Sequence, residues 1–268
     1  MKKILAVILC LAAALTLTGC GSFEYSSDRN TLTKYTGKGG DVVIPKGITV
    51  IGKEAFYQCD TITSVVIPNG VTTIYANAFA ECPNLKTVTL PDSVTTLSYS
   101  VFYGCTALES IDLPFGITEI NGGVFANCTS LSEITIPESV TDFHRAAFKD
   151  TPWLENKRKE DPLVIVNNVL IDGQTCSGDV IISNGVTAID KFAFSDCKNI
   201  DITVPDSVRR IALDAFCRCS NLSINLPDSL TQIDPDAFEY CGNLSVTYRG
   251  VTYSEDTLSE FYKAAKSS

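Results

Sequence analysis

A phenylalanine followed three residues later by a cysteine recurs along this chain at a nearly constant step. The phenylalanines are Phe56, Phe79, Phe102, Phe125, Phe148, Phe194, Phe216 and Phe238. Cysteines follow all but one of them, at Cys59, Cys82, Cys105, Cys128, Cys197, Cys219 and Cys241. The step is constant from Phe56 to Phe148, doubles across the gap to Phe194, and then resumes slightly shorter through Phe216 and Phe238. A period of about 20–30 residues marks a solenoid, in which stacked copies of one short unit share a continuous core. Such a fold presents surface more readily than it encloses an active site.

Aligned on the phenylalanines, the units begin at Val42, Val65, Val88, Ile111, Ile134, Val180, Ile202 and Ile224. In the third unit, alternation over Val88-Thr89-Leu90 predicts a short strand with Val88 and Leu90 inward. Pro91 has no N–H to continue a ladder, so the strand ends there. Leu90-Pro91-Asp92-Ser93 fits a type I turn with proline at its second position. Val94 and Leu97 then point inward on a return arm, ahead of Phe102, Cys105 and Leu108. The phenylalanines are expected to stack as one buried column.

The cysteines occupy one structural position and should also stack. Cysteine is a small buried hydrophobe with a weak S–H donor, which suits a tight corner rich in backbone carbonyls. A ladder of free thiols is the expectation. Disulfides between coils are the alternative, because stacked coils bring Cα atoms within bridging range. Without a CxxC pair, and with a single histidine, no metal site is expected. Cys176 and Cys217 lie off the ladder, and Cys217, in the slot held by Tyr57, Ala80 and Tyr103, is the better candidate for an exposed thiol.

The pattern Leu85-x-x-Val88-x-Leu90-Pro91, then Val94-x-x-Leu97, then Val101-Phe102-x-x-Cys105 resembles the BspA-like leucine-rich-repeat family of bacterial surface proteins. The resemblance spans about residues 33–253. It implies a leucine-rich-repeat solenoid, α/β by convention and β-rich. The coils would form a right-handed curved stack, with a parallel sheet on the concave face and short strands and turns on the convex side. It also implies surface display and binding of other proteins, host extracellular proteins among them.

The repeat breaks after Phe148. Thr151 stands where a cysteine is due, followed by Pro152 and Trp153, the only tryptophan. Residues 157–179 then form an insertion as long as one repeat. Lys157 to Pro162 reads as a charged loop, and Leu163–Val166 with Val169–Ile171 as a hairpin turning at Asn167-Asn168. Either the hairpin protrudes as a binding element, or it packs on the neighbouring coil with Trp153 filling the joint. Thr31–Tyr35 looks like an initiating strand. Ser254-Glu255-Asp256 looks like the capped start of a C-terminal capping helix over 254–268.

At the N-terminus, Lys2 and Lys3 precede an apolar run from Ile4 to Leu15, too short to span a bilayer. Leu17-Thr18-Gly19-Cys20 looks like a bacterial lipobox. The expected organisation is a lipoprotein signal peptide at 1–19 and a lipidated Cys20 with a polar tether over 20–30. The solenoid follows over 31–253. A diacylglyceryl group would hold the chain on the outer face of the membrane. Net charge is −10 for the whole chain and near −12 without the leader, which argues against nucleic acid as a partner.

Outward strand positions form a small, flat, mildly acidic face without aromatics. Its acids Asp41, Asp112, Glu133, Asp179 and Asp201 are the candidate binding residues for a basic protein. Tyr57, Tyr75, Tyr99, Tyr103 and Tyr240 are expected on the return arm, whose convex side offers a rival surface. No GxSxG, HExxH, phosphate loop or EF-hand spacing occurs, and His144 reads as a lone surface histidine in a loop without a pocket. No catalytic residue and no cofactor is expected. The functional expectation is a monomeric, lipid-anchored protein for protein–protein interaction or adhesion. The alternative is an accessory envelope lipoprotein that binds the cell's own surface components or glycans.

Overall fold

The computed structural model describes residues 22–266. The leader and Cys20 lie outside the described residues. Each coil has three arms: a strand, a return arm beyond the proline corner, and the turn arm that carries phenylalanine and cysteine.

Two parallel ladders run along the stack. The first joins Gly40–Val43, Ile62–Val66 and Thr87–Thr89, then Ser110–Asp112 with Glu133–Thr135. It resumes with Gly178–Ile181, Lys198–Thr203, Ser220–Leu226 and Gly242–Tyr248, and Val251–Ser254 closes it antiparallel. The second ladder pairs the short return-arm strands, such as Val50–Ile51, Thr73–Ile74 and Thr96–Leu97. Register follows the sequence period: Asp41 lies against Ser64, and Ser64 against Thr87.

The corner differs from the expectation by one position. Val94 N–H donates to the Pro91 carbonyl at 3.0 Å, and Val208 N–H to that of Pro205 at 3.1 Å. Proline therefore holds the first turn position, where it ends the strand and supplies the acceptor. In the Pro68-Asn69-Gly70 corner, Gly70 takes φ +103°, as a type II turn requires of its third residue.

The single phenylalanine column expected from the period forms as two stacks, one in each core cluster, and Phe148 meets Trp153 where the first stack ends. Phe56, Phe79, Phe102, Phe125 and Phe148 are buried and stack at centroid separations of 4.7, 5.6, 5.8 and 6.0 Å. Phe194, Phe216 and Phe238 stack at 5.3 and 5.1 Å. The ladder cysteines are free thiols. The Cys82, Cys105 and Cys128 thiols donate to the carbonyls of Phe56, Phe79 and Phe102 in the preceding coil, at 3.0, 3.1 and 3.0 Å. Burial pushes the Cys128 thiol up to about 12. Cys217, expected to be exposed, is buried. A short side chain in that slot does not clear its neighbours: Ala80 and Ala126 are buried there too, whereas Tyr57 reaches solvent.

On both sides of every repeat phenylalanine but Phe238 the turn arm enters the left-handed region, at Glu54 and Gln58 around Phe56, and at Asn77 and Glu81 around Phe79. The N–H groups of Glu54, Phe56 and Gln58 then all donate to the next arm, at Ala76, Ala78 and Ala80. This trio of bonds repeats from Phe79 and from Phe102.

The break is a restart of the solenoid by a helix and a hairpin rather than a simple insertion. Lys157 to Glu160, read above as a loop, belong to a helix, Pro152–Glu160 (α1). Thr151 Oγ1 accepts from Leu154 N–H at 3.3 Å as its cap, and Lys157, Arg158 and Lys159 fill the last turn. The hairpin forms as expected, with Val164–Val166 antiparallel to Val169–Asp172 and left-handed residues at Asn167 and Asn168. It does not protrude. Val169–Asp172 joins the return-arm ladder beside Ala188–Ile189, and Trp153 packs on Phe148 at 4.5 Å.

The N-terminus has the same construction. Phe23–Tyr25, expected in the tether, pairs antiparallel with Thr31–Tyr35, which joins the ladder beside Val50–Ile51. Gly40-Asp41-Val42-Val43-Ile44 recurs later in the chain as Gly178-Asp179-Val180-Ile181-Ile182. Thr49 N–H donates to the Asn30 carbonyl, and its counterpart in the same register, Thr187, donates to that of Asn168. The chain is thus two solenoid blocks, each opened by a hairpin. A capping helix, Leu258–Lys266 (α2), closes the second, entered through a box in which Thr257 Oγ1 accepts from Ser254 N–H at 2.9 Å. Among the described residues no helix is long and apolar enough to cross a membrane.

Candidate binding surfaces

The strand ladders place every predicted acid in solvent: Asp41, Asp112, Glu133, Asp179 and Asp201 are all exposed. They fall in two rows. Asp41, Glu133, Asp179 and Asp201 occupy the first outward position of their strands, and Asp112 occupies the second. Asp179 and Asp201 are direct neighbours across the ladder, whereas Asp112 faces Thr135, and Glu133 faces Ser110. Thr63 and Ser64 donate to Asp41 Oδ1 at 3.0 and 2.6 Å, and the Ser64 bond first, then that of Thr63, holds this carboxyl below its ordinary range. Thr135 Oγ1 donates in the same way to Asp112. Among the described residues none of the five acids has a cationic partner.

The face is not wholly polar. Val43 and Ile181, equivalent residues of the two blocks, are 68% and 75% exposed in its second row. Of the tyrosines on the other arms, Tyr75, Tyr99 and Tyr240 are well exposed, while Tyr103 is half-buried and its hydroxyl accepts from Asn127 at 2.8 Å. Phe115, at 80% exposure, was missed. Its signal was available: it stands at a corner position that holds Lys46, Asn69, Asp92 or Glu138 in other coils.

The largest departure from expectation concerns His144. It is half-buried and lines a cleft of about 400 Å³ where the two blocks meet. Its Nε2 lies 3.8 Å from Glu119 and 4.0 Å from Asp142. These three groups are close enough to share an ion. The positive charge they call for is already supplied, because Lys191 Nζ is 2.7 Å from Asp142 Oδ1 and 3.4 Å from His144 Nε2.

Beside Lys191, the Asp190 side chain is 1% exposed. Its Oδ2 accepts from Phe143 N–H at 2.9 Å, and its Oδ1 has no hydrogen-bond partner. Arg210 stays 4.0 Å away. Burial pushes this carboxyl up to about 6. Sequence reasoning missed the residue because the equivalent slot of the first block holds Gly52, and only the junction makes it a plug. A second tie crosses the junction: Arg158 grips Asp172 through two bonds of 3.0 and 2.7 Å.

The family model described as BspA type leucine rich repeat region matches residues 32–155 and 173–258, in six copies. No curated protein matches the chain. Among solved structures, the chain is similar to a leucine rich cell surface protein from Faecalibacterium prausnitzii. That match has 24% identity over 83% of this chain and 85% of that one, and a TM-score of 0.46. It is also similar to a T. pallidum leucine rich repeat protein, with 22% identity, 92% and 95% coverage and a TM-score of 0.42. Pneumococcal vaccine antigen PcpA is similar at 16% identity, with 80% and 72% coverage and a TM-score of 0.42.

Proposed function

Because this chain belongs to the BspA-type leucine-rich-repeat family, we propose that it is a non-catalytic module that binds a basic protein at the outer surface of a bacterial cell. A lipid on Cys20 would hold it there. The observation that carries the reading is the uncompensated acid on the strand face. Asp179 and Asp201 lie side by side on adjacent strands, and among the described residues no cation relieves them. Like charges directly opposite in a sheet destabilise it, so their retention fits a partner that brings lysine or arginine. The flat row of small hydroxyl side chains around them leaves room for such residues to approach.

The test is retention of proteins from host mucosal extract and from bacterial envelope extract on the immobilised chain, with salt varied. A saturable host protein that is lost on Asp179→Lys with Asp201→Lys, and weakened by salt, is the expected result. Retention of an envelope component instead would replace adhesion with the accessory role. Retention indifferent to both substitutions would remove the strand face from the proposal. For the anchor, Cys20→Ala should move the protein from the membrane fraction into the medium.

A further inference from the structure

Within the first block, every turn arm but the last donates to the arm above it. Glu54, Phe56 and Gln58 make the full set, at 3.1, 2.7 and 2.9 Å. The fifth coil builds the same arm, with Ala146 and Asp150 at φ 58° on either side of Phe148. There is no next arm. The N–H groups of Ala146, Phe148 and Asp150 have no acceptor among the described residues.

The second block shows the complementary edge. By the pattern of the later arms, in which Ala76, Ala78 and Ala80 accept, its first arm offers the carbonyls of Lys191, Ala193 and Ser195, the counterparts of Lys53, Ala55 and Tyr57 in the register that sets Gly178 on Gly40. The Ala193 carbonyl takes Gly173 N–H at 2.7 Å, while those of Lys191 and Ser195 have no donor among the described residues. Both edges wall the cleft of about 400 Å³, a volume typical of small-ligand sites.

The gap is confined to this arm because side chains close it on the return arm. Phe143 N–H finds the Asp190 carboxylate where a backbone carbonyl would be. The Asn167 amide bonds the carbonyls of Pro137 and Val140 at 2.8 and 2.9 Å. Two side chains thus supply the bonds that the backbone of a further coil would have made.

We propose that this cleft binds a short segment of another polypeptide, main chain to main chain, in place of the missing turn arm. Each residue of a backbone carries one donor and one acceptor, which matches a wall of N–H groups facing a wall of carbonyls. Main-chain pairing of this kind supplies affinity in other modes of peptide recognition. The buried Asp190 Oδ1 is one more acceptor for a peptide N–H. The segment carries no strong charge, because three of the four Lys and Arg side chains that line the cleft are engaged, and the fourth, the exposed Lys149, is followed directly by the exposed Asp150. Arg158 holds Asp172, Lys191 holds Asp142, and Arg145 lies over the Phe192 ring at 4.6 Å. The site shares with the strand-face reading only the class of partner and uses none of its residues.

The probe is a displayed library of linear heptapeptides selected on the immobilised chain, followed by end-blocked synthetic peptides. Binding should slow hydrogen exchange at the Ala146, Phe148 and Asp150 amides. Gln174→Trp and Lys149→Trp, at exposed positions of the two walls, should each weaken binding at least about tenfold, while Asp179→Lys leaves it unchanged. Replacing peptide amides by esters at alternate residues should weaken binding, as expected for carbonyls used as acceptors. Failure to recover any peptide, unchanged exchange at the three amides, or full affinity for Gln174→Trp would each overturn the site. Loss with Asp179→Lys alone would transfer the peptides to the strand face.

Discussion

Phe102 shows how much one residue carries in a stack. Its ring lies between Phe79 and Phe125, at 5.6 and 5.8 Å, with no exposed surface. Phe102→Ala removes both contacts and leaves a cavity that flanking coils cannot fill, so unfolding in urea should show a loss of about 3–5 kcal/mol. Asp190 makes a different prediction. Its folded carboxyl titrates at about 6 against an ordinary 3.8, so the folded chain holds that proton more tightly than the unfolded chain. The resulting stability is fully present below about pH 4 and is lost as pH rises through about 6. A rise of that size corresponds to about 3 kcal/mol. The stability of the wild type relative to Asp190→Asn should therefore fall by about 2–3 kcal/mol between pH 4 and pH 7. A difference that stays flat over that interval would rule out Asp190 as the titrating group.

At the scale of elements, the two opening hairpins are the same device with different fillings. Tyr35 ends the first and stacks its ring on Phe56 at 5.0 Å. The equivalent residue in the second is Gly173, where a Cβ would lie 2.4 Å from the ring of the fully buried Phe194. Gly173→Ala should destabilise the second block by about 1–3 kcal/mol, visible as faster exchange of its amides. An unchanged exchange pattern would mean that the hairpin yields. The helix α1 was legible in Thr151, Pro152, Glu155 and the basic run after it. The strength of the repeat period drew the reading towards an insertion one repeat long that opens with a charged loop instead.

For the whole molecule, the junction decides whether two blocks behave as one. The first core reaches across it to Val164, Val169 and Ala188. Arg158 with Asp172, and Lys191 with Asp142, add part-buried ties. Repeat arrays unfold together only while each interface outweighs the difference between neighbouring stabilities. The intact chain should melt in one calorimetric transition, and Arg158→Ala with Lys191→Ala should divide it into two. One sharp transition in the double variant would locate the coupling in the apolar contacts.

The sequence by itself determined the solenoid, the inward residues of each coil, the buried phenylalanines, the thiol ladder and the capped ends. The capped ends follow from local strand and N-cap signals, and the rest from periodicity, because a position that recurs once per coil must meet its own copies. Tertiary structure decided what the period cannot express. It seated the apolar hairpin in the ladder, buried Cys217 behind its neighbours, and placed His144 and Asp190 in a cleft. These outcomes depend on contacts between residues such as Phe143 and Asp190, 47 positions apart, at the one place where the repeat stops. A pattern describes what its units share, whereas the environment at a junction is set by three-dimensional neighbours that belong to neither repeat.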